Sequence, residues 1–227
     1  MLSRSLSLKR SVSLHHVDVE EALLDGEEAD RTSRASASGV SVVPLTLDHL
    51  TDLVECHNDG FGSKKCCLCC PVADTDGRIR KYYEEHPERL PVCGVAVKND
   101  GRPLGYIQLA IHPMNCKDGL HTTEPGECYV EQICVSSRAR GMGVGTALLN
   151  WADDQALAAG SSFMSLVVLK GNVAYRLYDR VGYRDVSKAD FCEQCCDCFC
   201  VVLLVGRPFG FFDPNFGSIL MRKKLKQ

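Results

Sequence analysis

An apolar strand, a basic glycine-rich turn and an apolar helix follow one another without a break over residues 129–158, and this junction restricts the fold more than any other feature. Ile133, Cys134 and Val135 close the apolar run. Arg138 and Arg140 follow, and Gly141, Gly143 and Gly145 then alternate with Met142 and Val144 before Thr146 and Ala147. Glycine reaches backbone angles closed to other residues and lets a ligand approach the main chain. Amide hydrogens at a helix start, backed by the helix dipole, make a cradle for an anion. Phosphate or pyrophosphate suits such a cradle. A dinucleotide fold would need Gly-x-Gly-x-x-Gly and an acid about twenty residues on, but the strand over 161–169 has no terminal acid. A Walker loop would need Lys-Ser or Lys-Thr after the turn, and neither is present. Read alone, the turn also fits a tight junction with no ligand.

The flanking pattern gives a mixed α/β chain. Residues 40–44 read as a strand, and Thr46 or Asp48 can cap a helix carrying Leu47, Leu50, Leu53 and Val54 on one stripe. Asn58, Asp59 and Gly60 should end that helix. A second helix is expected near 78–85, stopped by Pro87. Strands follow at 92–97 and 104–111 across an Asn99-Asp100-Gly101 turn, then at 127–135. The helix from the glycine turn stops at Gly160. Another strand covers 163–169, a short helix 174–180, and a strand begins at Tyr183. Residues 218–225 form a closing strand. This order predicts a sheet covered by helices.

Three segments in this order resemble the GCN5-related N-acetyltransferase (GNAT) superfamily. Arg140-x-x-Gly143-x-Gly145 after a strand ending in Val135 is similar to its acyl-CoA signature. Gly171-Asn172-Val173-Ala174-Tyr175-Arg176-Leu177-Tyr178, with Gly182-Tyr183 beyond, is similar to its later helix and next strand. Ile219-Leu220-Met221-Arg222 is similar to its last strand. The resemblance spans residues 40–225, with 1–39 as a tail and cysteine-rich insertions at 64–71 and 191–214. It implies a central mixed sheet splayed in its middle, with the pantetheine arm of acetyl-CoA between strands 129–135 and 163–169. Main-chain groups of Ile133, Cys134 and Val135 would bond the pantetheine. The amides of Arg140, Gly141, Met142, Gly143, Val144, Gly145 and Thr146 would take the pyrophosphate. The family's asparagine slot falls on Gly171, so Asn172 reaches the cofactor only if the loop contracts by one residue.

Transfer from a thioester to an amine needs a neutral amine, a polarised carbonyl and a proton for the departing thiolate. The resemblance puts Glu131 at the base position and Tyr178 at the acid position, with Tyr175 lining the thiol exit one turn earlier. Simple strand alternation sets Glu131 with Ile133 and Val135 on one face, and Val130, Gln132 and Cys134 on the other. A β-bulge, common beside active sites, would break that alternation. Glu124, Glu127 and His121 offer a further attraction for a cationic amine. No cysteine stands in an activating arrangement with His and an acid, so direct attack without a covalent enzyme intermediate is expected.

The 14 cysteines are the unusual element of composition. With no apolar secretory stretch near the N-terminus, a reducing compartment is expected, the cytoplasm first. Arg4, Lys9 and Arg10 without acids also suit an organelle transit segment. The seven acids of residues 18–30 oppose a long uniform targeting helix. Cys67 with Cys70, and Cys192 with Cys195, could supply a zinc site if the segments meet. Packing as small hydrophobes, lipidation of residues 66–70 beside Lys64 and Lys65, and redox control compete with zinc. Membrane contact would require that lipidation. A net charge of -3 gives no general attraction to nucleic acid and suits an amine-bearing small molecule or peptide. The oligomeric state is not encoded in these patterns. The rival reading is a catalytically inactive module of the same fold, serving metal binding, regulation or docking.

Overall fold

A seven-stranded sheet in the order β1-β2-β3-β4-β5-β7-β6 organises the described part of the chain. The computed structural model describes residues 39–61, 76–117, 121–186 and 218–226. The described strands and helices lie within one unit, Val40–Gln227. The strands are β1 (Val40–Pro44), β2 (Cys93–Lys98), β3 (Pro103–Ile111), β4 (Glu127–Val135), β5 (Phe163–Leu169), β6 (Arg184–Asp185) and β7 (Ser218–Lys224). The helices of eight or more residues are α1 (Leu50–Phe61), α2 (Asp76–Glu85) and α3 (Val144–Ala158), and a short α4 covers Tyr175–Arg180. Helix α1 therefore runs through Asn58, Asp59 and Gly60 instead of stopping there. Asp59 explains the extension, because its carboxylate is tied to the end of β4 and draws the last turn onto the sheet.

The two faces carry separate cores. On one, Leu148, Leu149, Ala152 and Ala156 of α3 pack with Ile107, Leu109, Cys128, Val130, Met164 and Met221. On the other, Leu50, Leu53 and Cys56 of α1 and Ile79 and Tyr83 of α2 cover Cys93, Val95, Tyr106 and Cys134. Burying such side chains stabilises the fold by roughly 1.5–3 kcal/mol each. Helix α3 lies so close to β2 that a Cβ on Gly94 would come within 2.6 Å of the Trp151 ring.

Among the described residues only β4 and β5 pair in parallel, from Glu127↔Phe163 to Val130↔Leu166. Beyond that point β4 stays with β3, to Val135↔Gly105, while β5 stays with β7, to Leu169↔Ser218. The sheet thus parts in its middle. The β3–β4 register shifts between Gln108 and Leu109, which face Gln132 and Val130, so Glu131 is the extra residue of a bulge.

Candidate active site

The bulge decides what Glu131 can touch. One extra residue on β4 reverses the alternation beyond it. Ile133 and Val135 pack with Val130 and Cys128 against the α3-side core, while Cys134 joins the α1–α2 side. Glu131 and Gln132 both point to that second side, the first toward Arg89 and the second toward Tyr106. The simple alternation that grouped Glu131 with Ile133 and Val135 is therefore overturned.

The Glu131 side chain is only 3% exposed and three donors converge on it. Arg89 Nη1 donates to Oε1 at 2.7 Å, and the Lys117 amide donates to the same oxygen at 2.7 Å. Gln108 Nε2 donates to Oε2. Gln108 is itself held by the Tyr83 hydroxyl at 3.2 Å. Arg89 sits in the 3₁₀ segment Pro87–Val92, and its other nitrogen donates to the Asn115 carbonyl. Burial works against the charge on Arg89, but the hydrogen bond and charge of Glu131 outweigh it and hold the guanidinium firmly protonated. Gln108 had a visible signal, being polar in an otherwise apolar strand. Arg89 had none, since an arginine between two prolines reads as a surface loop.

Tyr178 lies on the opposite face. It belongs to the α3-side core, 7% exposed, with its ring edge-on to Tyr183 at 6.1 Å. Burial pushes its phenol up to about 12. Glu131 thus reaches one face of the parted sheet from β4, and Tyr178 the other from the helix after β5. Tyr175 is half-buried against the same core and, with Leu177, lines an open groove of about 440 Å³ along α4.

The glycine turn sits at the end of β4. Gly141 and Gly143 have φ of 79° and 82°, in the left-handed region, with open space where a Cβ would project. A Cβ on Gly145 would meet Leu177 at 2.8 Å. The Arg140 and Met142 amides make long bonds back to Ser137 and Ala139, both 3.4 Å. Those of Gly141, Gly143, Val144, Gly145 and Thr146 donate to no acceptor among the described residues. Arg140 Nε donates to the Val135 carbonyl at 3.4 Å. Val167 of β5 is 45% exposed beyond the parting, where an apolar arm could cover it. The arrangement can hold a pyrophosphate on the turn and a narrow chain between the strands.

Asn172 Oδ1 accepts from the Ala174 amide at 3.0 Å, in the turn just before α4. Asp59, missed in the sequence, accepts from Ser136 Oγ at 3.0 Å and the Ser137 amide at 2.5 Å. The Ser137 bond holds its carboxyl below the usual range. Glu127 is fully buried, bonded by His121 at 2.9 Å, by the Glu124 amide at 2.6 Å and by Ser165. It therefore offers no exposed charge to an amine.

Among the described residues Cys56, Cys93, Cys116, Cys128 and Cys134 are buried. Cys134 donates to the Cys56 carbonyl at 3.2 Å. Burial pushes the Cys93 and Cys128 thiols up to about 12. No group of three His, Cys, Asp or Glu among the described residues could hold a metal ion. Cys67, Cys70, Cys192 and Cys195 lie outside the described residues, as do the N-terminal segment and both cysteine-rich insertions. No helix among the described residues is long and apolar enough to cross a membrane.

A sequence model of the acetyltransferase (GNAT) family matches residues 63–183. An uncharacterized N-acetyltransferase of Methanocaldococcus jannaschii is 33% identical over 97 residues, 42% of this chain and 54% of the relative. The match therefore spans about half the length of that curated relative. The fold is similar to yncA, a putative acetyltransferase of Salmonella typhimurium solved with acetyl-CoA, at a TM-score of 0.58 and 14% identity over 83% of this chain and 95% of that one. It is also similar to a phosphinothricin acetyltransferase of Sinorhizobium meliloti in complex with acetyl-CoA, at 0.56 and 16% over 82% and 89%.

Proposed function

Because the chain belongs to the acetyltransferase (GNAT) family, we propose that it transfers an acyl group, acetyl first among them, from acyl-CoA to an amine. One observation carries the reading: the sheet parts after Val130↔Leu166, and a turn with five unclaimed amides stands at the end of the parted strand. An anion cradle beside an open strand edge suits a pyrophosphate with a thioester-bearing arm. The backbone of Ile133, Cys134 and Val135 would align that arm, and residues 140–146 would hold the pyrophosphate. Asn172 contributes by fixing the start of α4, and Tyr175 by lining the exit.

In the reaction the amine nitrogen attacks the thioester carbonyl from the Glu131 face. The carboxylate takes the proton that the nitrogen loses. The C–N bond forms, the C–S bond breaks, and the departing sulfur takes a proton from Tyr178. A phenol raised to about 12 keeps its proton at neutral pH until the thiolate leaves. Direct attack is favoured because the buried thiols of Cys93 and Cys128 stay neutral. The acceptor is an amine-bearing small molecule or peptide in the cytoplasm.

Calorimetry with acetyl-CoA tests the reading. Micromolar binding is expected, weakened when Gly143 carries a side chain. Absence of binding to the intact chain would return the protein to the inactive-module alternative.

A further inference from the structure

We infer that Cys56 and Cys134 form a reversible thiol–disulfide pair that a small peroxide oxidises, fastening α1 to the strand that leads into the glycine turn. The two cysteines lie 78 positions apart in the chain and meet in the core on the α1–α2 side of the sheet. Cys56 belongs to α1, three residues before Asp59, and Cys134 is the penultimate residue of β4. The Cys134 sulfur is 3.2 Å from the Cys56 carbonyl, and the two thiol groups also hydrogen-bond each other. Helix and strand are already tied beside them, because Asp59 accepts from Ser136 and Ser137. A disulfide forms only between closely spaced residues. Here folding has set that spacing beforehand. The pair stands whether or not the chain transfers acyl groups.

Reach and reactivity separate this pair from Cys93 and Cys128. Cys56 lines a cavity of about 210 Å³ with Glu55, Asp59, Ser136, Ser137 and Arg138. Water occupies about 30 Å³ in the liquid, so this cavity has room for hydrogen peroxide, of roughly twice that size. The thiolate is the reactive form of cysteine. The bond from Cys134 favours it at Cys56, against burial, and the Ser136 amide and the Arg138 charge assist. Cys56 thus lies below its ordinary value of 9.0, although the Asp59 charge opposes this, while the bond to Cys56 and burial push Cys134 up. Cys56 is therefore the attacking sulfur, and Cys134 keeps its proton for the second step. Cys93 and Cys128 are pushed up to about 12 by burial and line neither this cavity nor the groove along α4.

In the first step the Cys56 thiolate attacks one oxygen of hydrogen peroxide. An S–O bond forms, the O–O bond breaks, and the departing hydroxide takes up the proton that Cys56 gave up. Cys56 is left as the sulfenic acid, which condenses with a neighbouring thiol. The Cys134 sulfur then attacks the Cys56 sulfur. The S–S bond forms, the S–O bond breaks, and the hydroxyl leaves as water with the Cys134 proton. Two thiols are oxidised, one peroxide is reduced to two waters, and a thiol reductant reverses the bond by exchange.

The test exposes the full, reduced chain to stepwise hydrogen peroxide, alkylates it with N-ethylmaleimide in denaturant, and maps the digest by mass spectrometry. Peptides joined at Cys56 and Cys134 are expected while Cys93 and Cys128 still carry the alkyl label, and dithiothreitol should separate them. In Cys134→Ser the sulfenic acid lacks its partner thiol, so dimedone should label Cys56 at the same peroxide dose. Cys56 still fully alkylated after Cys93 or Cys128 has been oxidised overturns the inference, as does Cys56 joined to any cysteine other than Cys134. A folded Cys134→Ser without the dimedone adduct overturns it as well. If that variant does not fold, the wild-type map decides alone.

Discussion

Glu131 and Tyr178 serve the proposed chemistry through opposite environments. The carboxylate is ringed by donors, and the phenol is packed among apolar side chains, which suits a group that starts protonated. Replacing Tyr178 with Phe should lower turnover about 10²-fold and leave acetyl-CoA affinity nearly unchanged. Steady-state kinetics set beside calorimetry check this, and unchanged turnover across pH would remove the acid role. Glu131→Gln should lower turnover by about 10² to 10³, with the loss concentrated in kcat. Both residues were singled out by resemblance. Their surroundings were not, because Arg89 lies 42 positions from Glu131 in the chain and meets it only through folding.

The turn and the bulge are the elements that make a site from a sheet. Gly143 stands at φ 82° immediately before α3, a conformation that costs most other residues about 1–2 kcal/mol. Gly143→Ala should therefore destabilise the protein by about that amount in urea unfolding, and it should also weaken acetyl-CoA binding. Equal loss of stability with full binding would show that the turn is structural alone. The turn could be read directly, since glycine spacing, arginines and the start of an apolar helix are local signals. The bulge could only be anticipated. Residues 127–135 alternate well enough to be read as a regular strand, and the extra residue is defined by its pairing with β3. The loop before α4 shows the same limit: Asn172 was legible as a polar residue near the family's asparagine slot, but its bond to the Ala174 amide depends on the observed backbone.

Across the whole molecule, the two halves of the sheet are joined where β4 and β5 still pair, and Glu127 stands at that join. Its carboxylate on β4 accepts from Ser165 on β5, while nearby Arg222 of β7 binds Glu124 at 2.8 Å. Burial alone would raise Glu127, but the bonds from His121, Ser165 and the Glu124 amide more than offset it and lower its pKa from 4.5. A carboxyl lowered in the folded state adds stability above its unfolded value. That stability is lost as pH falls through the folded value. Urea midpoints should hold above pH 4.5 and decline below it, more steeply in the wild type than in Glu127→Gln. At neutral pH the Gln variant should be weaker by about 2 kcal/mol, since hydrogen bonds to a buried charge are lost. Parallel pH curves for the two proteins would remove Glu127 from this role.

From its residues alone the chain determined the order of its elements, the mixed α/β class and the basic glycine turn between strand and helix, because helix and strand periods and glycine angles are properties of neighbours. It also carried the three segments whose order marks the family. Only the tertiary structure decided where β4 leaves β5, which residue becomes the bulge, and that Arg89, Gln108 and the loop before Lys117 close around one carboxylate. Those contacts join positions far apart in sequence, and their geometry comes from packing two helical layers against a sheet that cannot stay paired through its middle.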